Sequence, residues 1–125
     1  MVQLHSSPPT AAPRLVLPFA PWFRVERHEL REGPTERLVG RLTNRQWRVE
    51  GNEYGELRAI PGSTLHFEDA YGQSAREIGP FQSLHIADGA MYGDGQLLAR
   101  FDEDTYLWRC PATREAFPCV VVSAP

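Results

Sequence analysis

Apolar and polar positions alternate in short runs along most of this chain, the period-two pattern of strands that bury one face. The clearest run lies near the carboxyl end: Leu97-Leu98-Ala99-Arg100-Phe101, then Asp102-Glu103-Asp104-Thr105, then Tyr106-Leu107-Trp108-Arg109-Cys110. It predicts two strands joined by a turn over Asp102–Thr105, where Asp and Thr oxygens can accept from nearby backbone N–H groups. With Phe101 opposite Tyr106, Ala99 meets Trp108 and Leu97 meets Cys110, so one side of the ribbon is wholly apolar. The other side carries Leu98, Arg100, Leu107 and Arg109, a mixture that contact with water alone does not explain.

Arg14 to Phe19 and Trp22 to Glu29 are strand candidates, with Pro18 and Pro21 suited to edges or bends. Arg27 to Arg37 has no 3.6-residue stripe and is broken by Gly33-Pro34, so it reads as a loop with at most one helical turn. Arg37 to Leu42 is a short strand, and Gln46 to Glu50 alternates cleanly before Gly51-Asn52 reverses the chain into Glu53 to Ile60. Apolar parity shifts between Tyr54 and Leu57, which suggests a bulge at Gly55. Pro61-Gly62 is a turn pair, after which Ser63 to Asp69 places Leu65 and Phe67 on one face. Ala70 to Pro80 reads as a loop and Phe81 to Ala87 as a strand. Asp88-Gly89 is a type I′ hairpin signal that pairs Ile86 with Met91 and Leu84 with Gly93. Gly93-Asp94-Gly95 makes a second corner. Ala116 to Ser123 is a last, valine-rich strand, expected to fold back so that Cys110 faces Cys119 and Trp108 faces Val121.

Eight to ten short strands without a long helix predict an all-β domain, either a small antiparallel barrel or a two-sheet sandwich. Residues 14–125 form this single β domain. Residues 1–13, rich in Pro, Ser and Ala, have little to bury and are expected to form an extended Pro-rich N-terminal arm.

The 125 residues suffice for one core without staples. A net charge of −3 argues against a general nucleic-acid binder. All 13 basic residues are Arg, which excludes Schiff-base lysine chemistry and a Lys-bearing phosphate loop. No apolar stretch approaches the roughly 20 residues of a membrane helix. The first residues lack a basic start, and Pro8, Pro9 and Pro13 interrupt any apolar core, so a cytoplasmic location is expected.

Strand parity constrains the histidines. If Leu65 and Phe67 share a face with Leu84 and Ile86, His66 and His85 share the opposite one. In a hairpin where residue 66 faces residue 85, the imidazoles become neighbours, with Glu68 close by as a third metal or acid–base candidate. Alternation accounts for the same residues as solvated surface groups. Ser63, Ser74 and Ser83 come without a Gly-x-Ser-x-Gly elbow. Asp102-Glu103-Asp104 lacks the spacing of a calcium loop. Cys110 and Cys119 are a disulfide candidate, or two half-buried thiols. No cofactor is expected.

The mixed face then comprises Arg100, Arg109, Leu98, Leu107, Val120 and Val122. Arginine stems over aliphatic surface are what protein interfaces often show. The expectation is a non-enzymatic small β subunit or adaptor of a larger assembly, such as a virion or multisubunit complex. It would bind a protein partner, or itself, through the N-terminal arm and this face. The alternative is a small-molecule-binding β-barrel, with or without catalysis. Its interior would be lined by Trp47, Phe67, Phe101, Tyr106 and Trp108, with His66 or His85 at the mouth.

Overall fold

The computed structural model describes residues 13–17 and 20–125. Short strands separated by tight turns make up the domain, and the described residues contain no helix. The first half supplies β1 (Arg14–Val16), β2 (Trp22–Glu26), β3 (Glu29–Glu32), β4 (Arg37–Thr43), β5 (Gln46–Val49), β6 (Asn52–Tyr54) and β7 (Glu56–Arg58). The second supplies β8 (Ser63–Glu68), β9 (Ser74–Phe81), β10 (Leu84–Ala87), β11 (Ala90–Gly93), β12 (Gln96–Asp102), β13 (Leu107–Arg109), β14 (Ala116–Phe117) and β15 (Cys119–Ser123).

Two sheets result. One runs β1-β7-β10-β11-β12-β13-β14 and the other β6-β5-β4-β3-β2-β15-β8-β9. Each sheet has two free edges, so the fold is a sandwich and not a closed barrel. All pairings are antiparallel except that of β1 with β7.

The inner faces meet in one core. Leu57, Ile86, Met91 and Ala99 form a row across four strands of the seven-stranded sheet. Opposite them, Leu30, Val25, Val120 and Phe67 form a row across the eight-stranded sheet. All eight side chains are buried. Each large apolar side chain so enclosed stabilises the fold by roughly 1.5–3 kcal/mol relative to exposure. Trp108 is fully buried, and its Nε1–H donates to the Arg27 carbonyl at 2.9 Å, which satisfies its polar edge and ties the two sheets together.

Turn chemistry worked as the sequence implies. Asp88 and Gly89 both have positive φ, and Ile86 pairs with Met91 and Leu84 with Gly93. Asp94-Gly95 forms the second corner. Gly93 must lack a side chain, since a Cβ would sit 2.6 Å from the Phe81 ring. The parity shift near Gly55 has a different cause from the expected bulge. The chain leaves one sheet at Tyr54 and enters the other at Glu56.

Several local expectations are corrected. The Arg27–Arg37 stretch contains β3, and the Ala70–Pro80 loop contains most of β9, a long edge strand. The reversal after β5 uses Glu50-Gly51, both with positive φ, so that Val49 pairs with Asn52. The carboxyl-terminal hairpin pairs Phe101 with Trp108 and Asp102 with Leu107. Its loop is therefore residues 103–106, and Tyr106, with φ 59°, is 47% exposed instead of filling the core. The cause is local: Asp102 accepts from Tyr106 N–H through its carbonyl, which closes the loop one residue later on each strand.

The expected last hairpin is also corrected. β13 pairs with β14, opposing Trp108 to Phe117, and the chain then crosses so that β15 lies between β2 and β8 in the other sheet. The expected arm, residues 1–13, lies outside the described residues except for Pro13, whose carbonyl accepts from Gly55 N–H at 2.8 Å.

Candidate interaction surface

The outward side of the seven-stranded sheet carries two rows of side chains. One runs Arg14, Glu56, Ala87, Ala90, Arg100, Arg109 and Ala116, each paired with the next across a strand boundary. The neighbouring row runs Val16, Arg58, His85, Tyr92 and Leu97. Val16 is 57% exposed, and His85 stacks on Tyr92 with ring centroids 5.2 Å apart. Leu107 shares this face because it lies two residues before Arg109 on β13.

Arg109 and Arg100 differ in their bonding. Arg109 Nε donates to Asp102 Oδ2 at 2.8 Å, and Asp102 Oδ1 accepts from Asp104 N–H at 2.9 Å. These bonds, the one from Arg109 foremost, hold the Asp102 carboxyl below the ordinary aspartate range. Arg100, exposed on the same face, reaches no carboxylate among the described residues.

Of the six residues expected on one mixed face, Arg100, Arg109 and Leu107 are brought together. Leu98 is turned away. A bulge between Met91–Ala99 and Tyr92–Leu97 leaves it unpaired, and it packs against the core beside Phe81. Val120 and Val122 are corrected outright: they lie in the other sheet and are buried in the core. β13 pairs with β14 and not with β15, so the two valines do not share a face with Arg109.

The histidine pair does not exist. His66 lies on β8 and His85 on β10, in different sheets and on opposite outer faces of the sandwich. Leu65 and Phe67 share the core with Leu84 and Ile86, but from different sheets. His66 has Thr64 Oγ1 at 3.2 Å and Glu77 Oε2 at 3.6 Å. Glu68 is engaged elsewhere, accepting from Arg24 at 2.8 Å. Among the described residues, no group of three or more His, Cys, Asp or Glu is placed to hold a metal ion.

Cys110 and Cys119 are both free and buried, and each sits in a different sheet environment. Cys110 packs in the core, and burial pushes its thiol pKa up. Cys119 lies on the outward side of β15 under Arg24, whose Nη1 approaches Sγ at 3.3 Å. Burial pushes its thiol to about 12, with Arg24 only partly offsetting the effect. Desolvation works against the Arg24 charge too, but Cys119, Glu68 and Glu36 together hold its pKa above the ordinary value.

Sequence reasoning missed an open cleft of about 330 Å³ at one end of the sandwich. Arg100, Phe101, Asp102, Glu103 and Asp104 line it, together with Arg45 from the β4–β5 turn and Asp88-Gly89 from the β10–β11 turn. Arg45 Nη1 lies 3.7 Å from Asp88 Oδ1, across the two sheets. The only available signal was that these turns are short and charged. A second groove of about 340 Å³ opens between β1 and the β4–β6 edge, with Leu15, Leu17, Phe23, Leu30 and Tyr54 among its walls. The aromatic interior expected for a ligand barrel is instead packed solid around Trp47, Phe67 and Trp108, each 0% exposed, with Phe101 and Trp108 rings 5.2 Å apart.

No family model matches the chain, and comparison with curated proteins and with solved structures gives no match either. Among the described residues, no helix is long and apolar enough to cross a membrane.

Proposed function

We propose that this protein is a non-enzymatic binding subunit whose seven-stranded sheet docks, through its outward face, onto a protein partner or another copy of the chain. The observation that carries this reading is the juxtaposition of Arg100 and Arg109 on adjacent strands, on a face that also carries the half-buried Ala87 and Leu107. The Arg100 stem can lie along this partly open apolar surface while its planar head, which no carboxylate of the described residues engages, reaches a partner carboxylate. Arg14 ends the same row, so residues 1–13 join the domain at an edge of this very sheet. They are proposed to add contact area to the same interface.

The test uses the full chain isolated from its native cell by size exclusion. The wild type should elute in a complex larger than a 14.1 kDa monomer. The double variant Arg100→Glu/Arg109→Glu should elute free, while Glu77→Arg on the opposite face stays assembled. A wild type that elutes as a free monomer, or a double variant that stays assembled, would sink the reading.

A second reading rests on the apolar groove between the sheet edges, where Arg37 stands at the mouth, 3.1 Å from Glu50 and 3.9 Å from Glu32. A small amphipathic ligand could seat its apolar body against Phe23 and Leu30. Val49→Trp would fill the groove. If it abolished a thermal shift produced by laurate without changing assembly, this reading would take precedence.

A further inference from the structure

Resting on the proposed role of the Arg100 face, we infer that the partner seated at its loop end is a second copy of this chain. The two copies would exchange their loops at residues 103–106 across a two-fold axis. The end cleft holds one guanidinium, Arg100, that no carboxylate of the described residues engages. The loop beside it carries Glu103 and Asp104, both exposed and without a basic partner among the described residues. The remaining charges of the cleft are already spent within the chain: Arg45 on Asp88, and Asp102 on Arg109.

A free cation and two free anions on one patch suit neither a simple anion nor a simple cation. They suit a surface bearing the same set in the opposite order. An isologous dimer supplies it, because residue i meets residue j and j meets i. Arg100 of each copy then faces Glu103 and Asp104 of the other, so the contact is made twice. Tyr106, 47% exposed on the same loop, lies with its ring 5.1 Å from His28 and 5.9 Å from Phe101. It adds an aromatic contact of the kind that anchors interfaces. The cleft of about 330 Å³ is open where a loop tip would enter. A nucleic acid fits poorly, since Glu103 and Asp104 would stand against its phosphates.

The experiment is sedimentation of the purified full chain over a range of concentrations in low and high salt. The wild type should dimerise, more weakly as salt rises. Arg100→Glu should weaken the dimer at least about tenfold, as should Glu103→Arg/Asp104→Arg, because each turns attraction into like-charge repulsion. Mixing the two variants in equal amounts should restore dimers, since each heterodimer recovers both opposite-charge contacts. The inference is overturned by a wild type that stays monomeric, by variants that dimerise as the wild type does, or by a mixture that fails to recover. A monomeric purified chain whose native complex still depends on Arg100 and Arg109 would defeat the second copy and leave the docking face standing.

Discussion

On the outward side of the eight-stranded sheet, Arg24, Arg31, Arg41 and Arg48 each reach a carboxylate of the same chain, at 2.8, 3.0, 3.5 and 3.8 Å. On the outward side of the seven-stranded sheet, Arg14 and Arg100 reach none among the described residues, and the half-buried Ala87, Tyr92 and Leu97 stand between them. The arginines of the first face are all paired within the chain. Its exposed pairs contribute little stability, roughly 0.2–1 kcal/mol each, but they occupy the four arginines of this face. The second face keeps charge and apolar surface available, which favours recognition over self-sufficiency. Composition alone would never separate them, since both are rich in arginine.

The largest effect expected is on the core beneath the open face. Trp108→Ala should cost about 3–5 kcal/mol in chemical denaturation. Leu107→Ala, one residue away but on the outward side, should cost far less. Equal losses would mean that the outward face is a structural contact and the comparison is wrong.

Next comes the paired face. Glu68 and Arg24 are only 14% and 21% exposed, so Glu68→Ala leaves the guanidinium with only the more exposed Glu36, 3.6 Å from its Nε, and should cost about 1.5–3 kcal/mol. Arg100→Ala should change stability by no more than about 0.5 kcal/mol while weakening assembly. If Arg100→Ala proved the more destabilising, the roles of the two faces would be reversed.

Cys119 sharpens the paired face further. With its thiol pushed to about 12, native protein should react with a thiol reagent at neutral pH only as fast as it unfolds. Glu68→Ala should not speed this by more than the lost stability accounts for. Rapid labelling of the folded wild type would show that Arg24 does not seal the site.

The smallest effect is a titration. Asp102 is lowered chiefly by Arg109, so the contact stabilises the fold above the unfolded aspartate pKa and is lost as pH falls through the lower folded value. Carbon-detected NMR should place Asp102 below the ordinary value of about 3.9. Arg109→Gln should move it upward. An unmoved Asp102 would mean that backbone donors, and not Arg109, set its charge.

Much of the local structure was legible in the residues. The inward positions of Phe67, Ile86, Ala99 and Trp108 follow from alternation, because a strand's side chains must point to opposite faces whatever it pairs with. The reversal at Asp88-Gly89 follows from two residues that tolerate left-handed backbone, which fixes the Ile86–Met91 register. These are decisions made within about ten residues. Which strand lies beside which was not legible. Leu65 and Leu84 are both inward, and parity is equally satisfied by one sheet or by two facing sheets. The difference separates His66 from His85 and sends Val120 and Val122 into the core. That choice rests on burying both sheets' apolar faces at once, so it belongs to packing across the whole chain. Alternation told which way each side chain points, and only the tertiary structure decided what it points at.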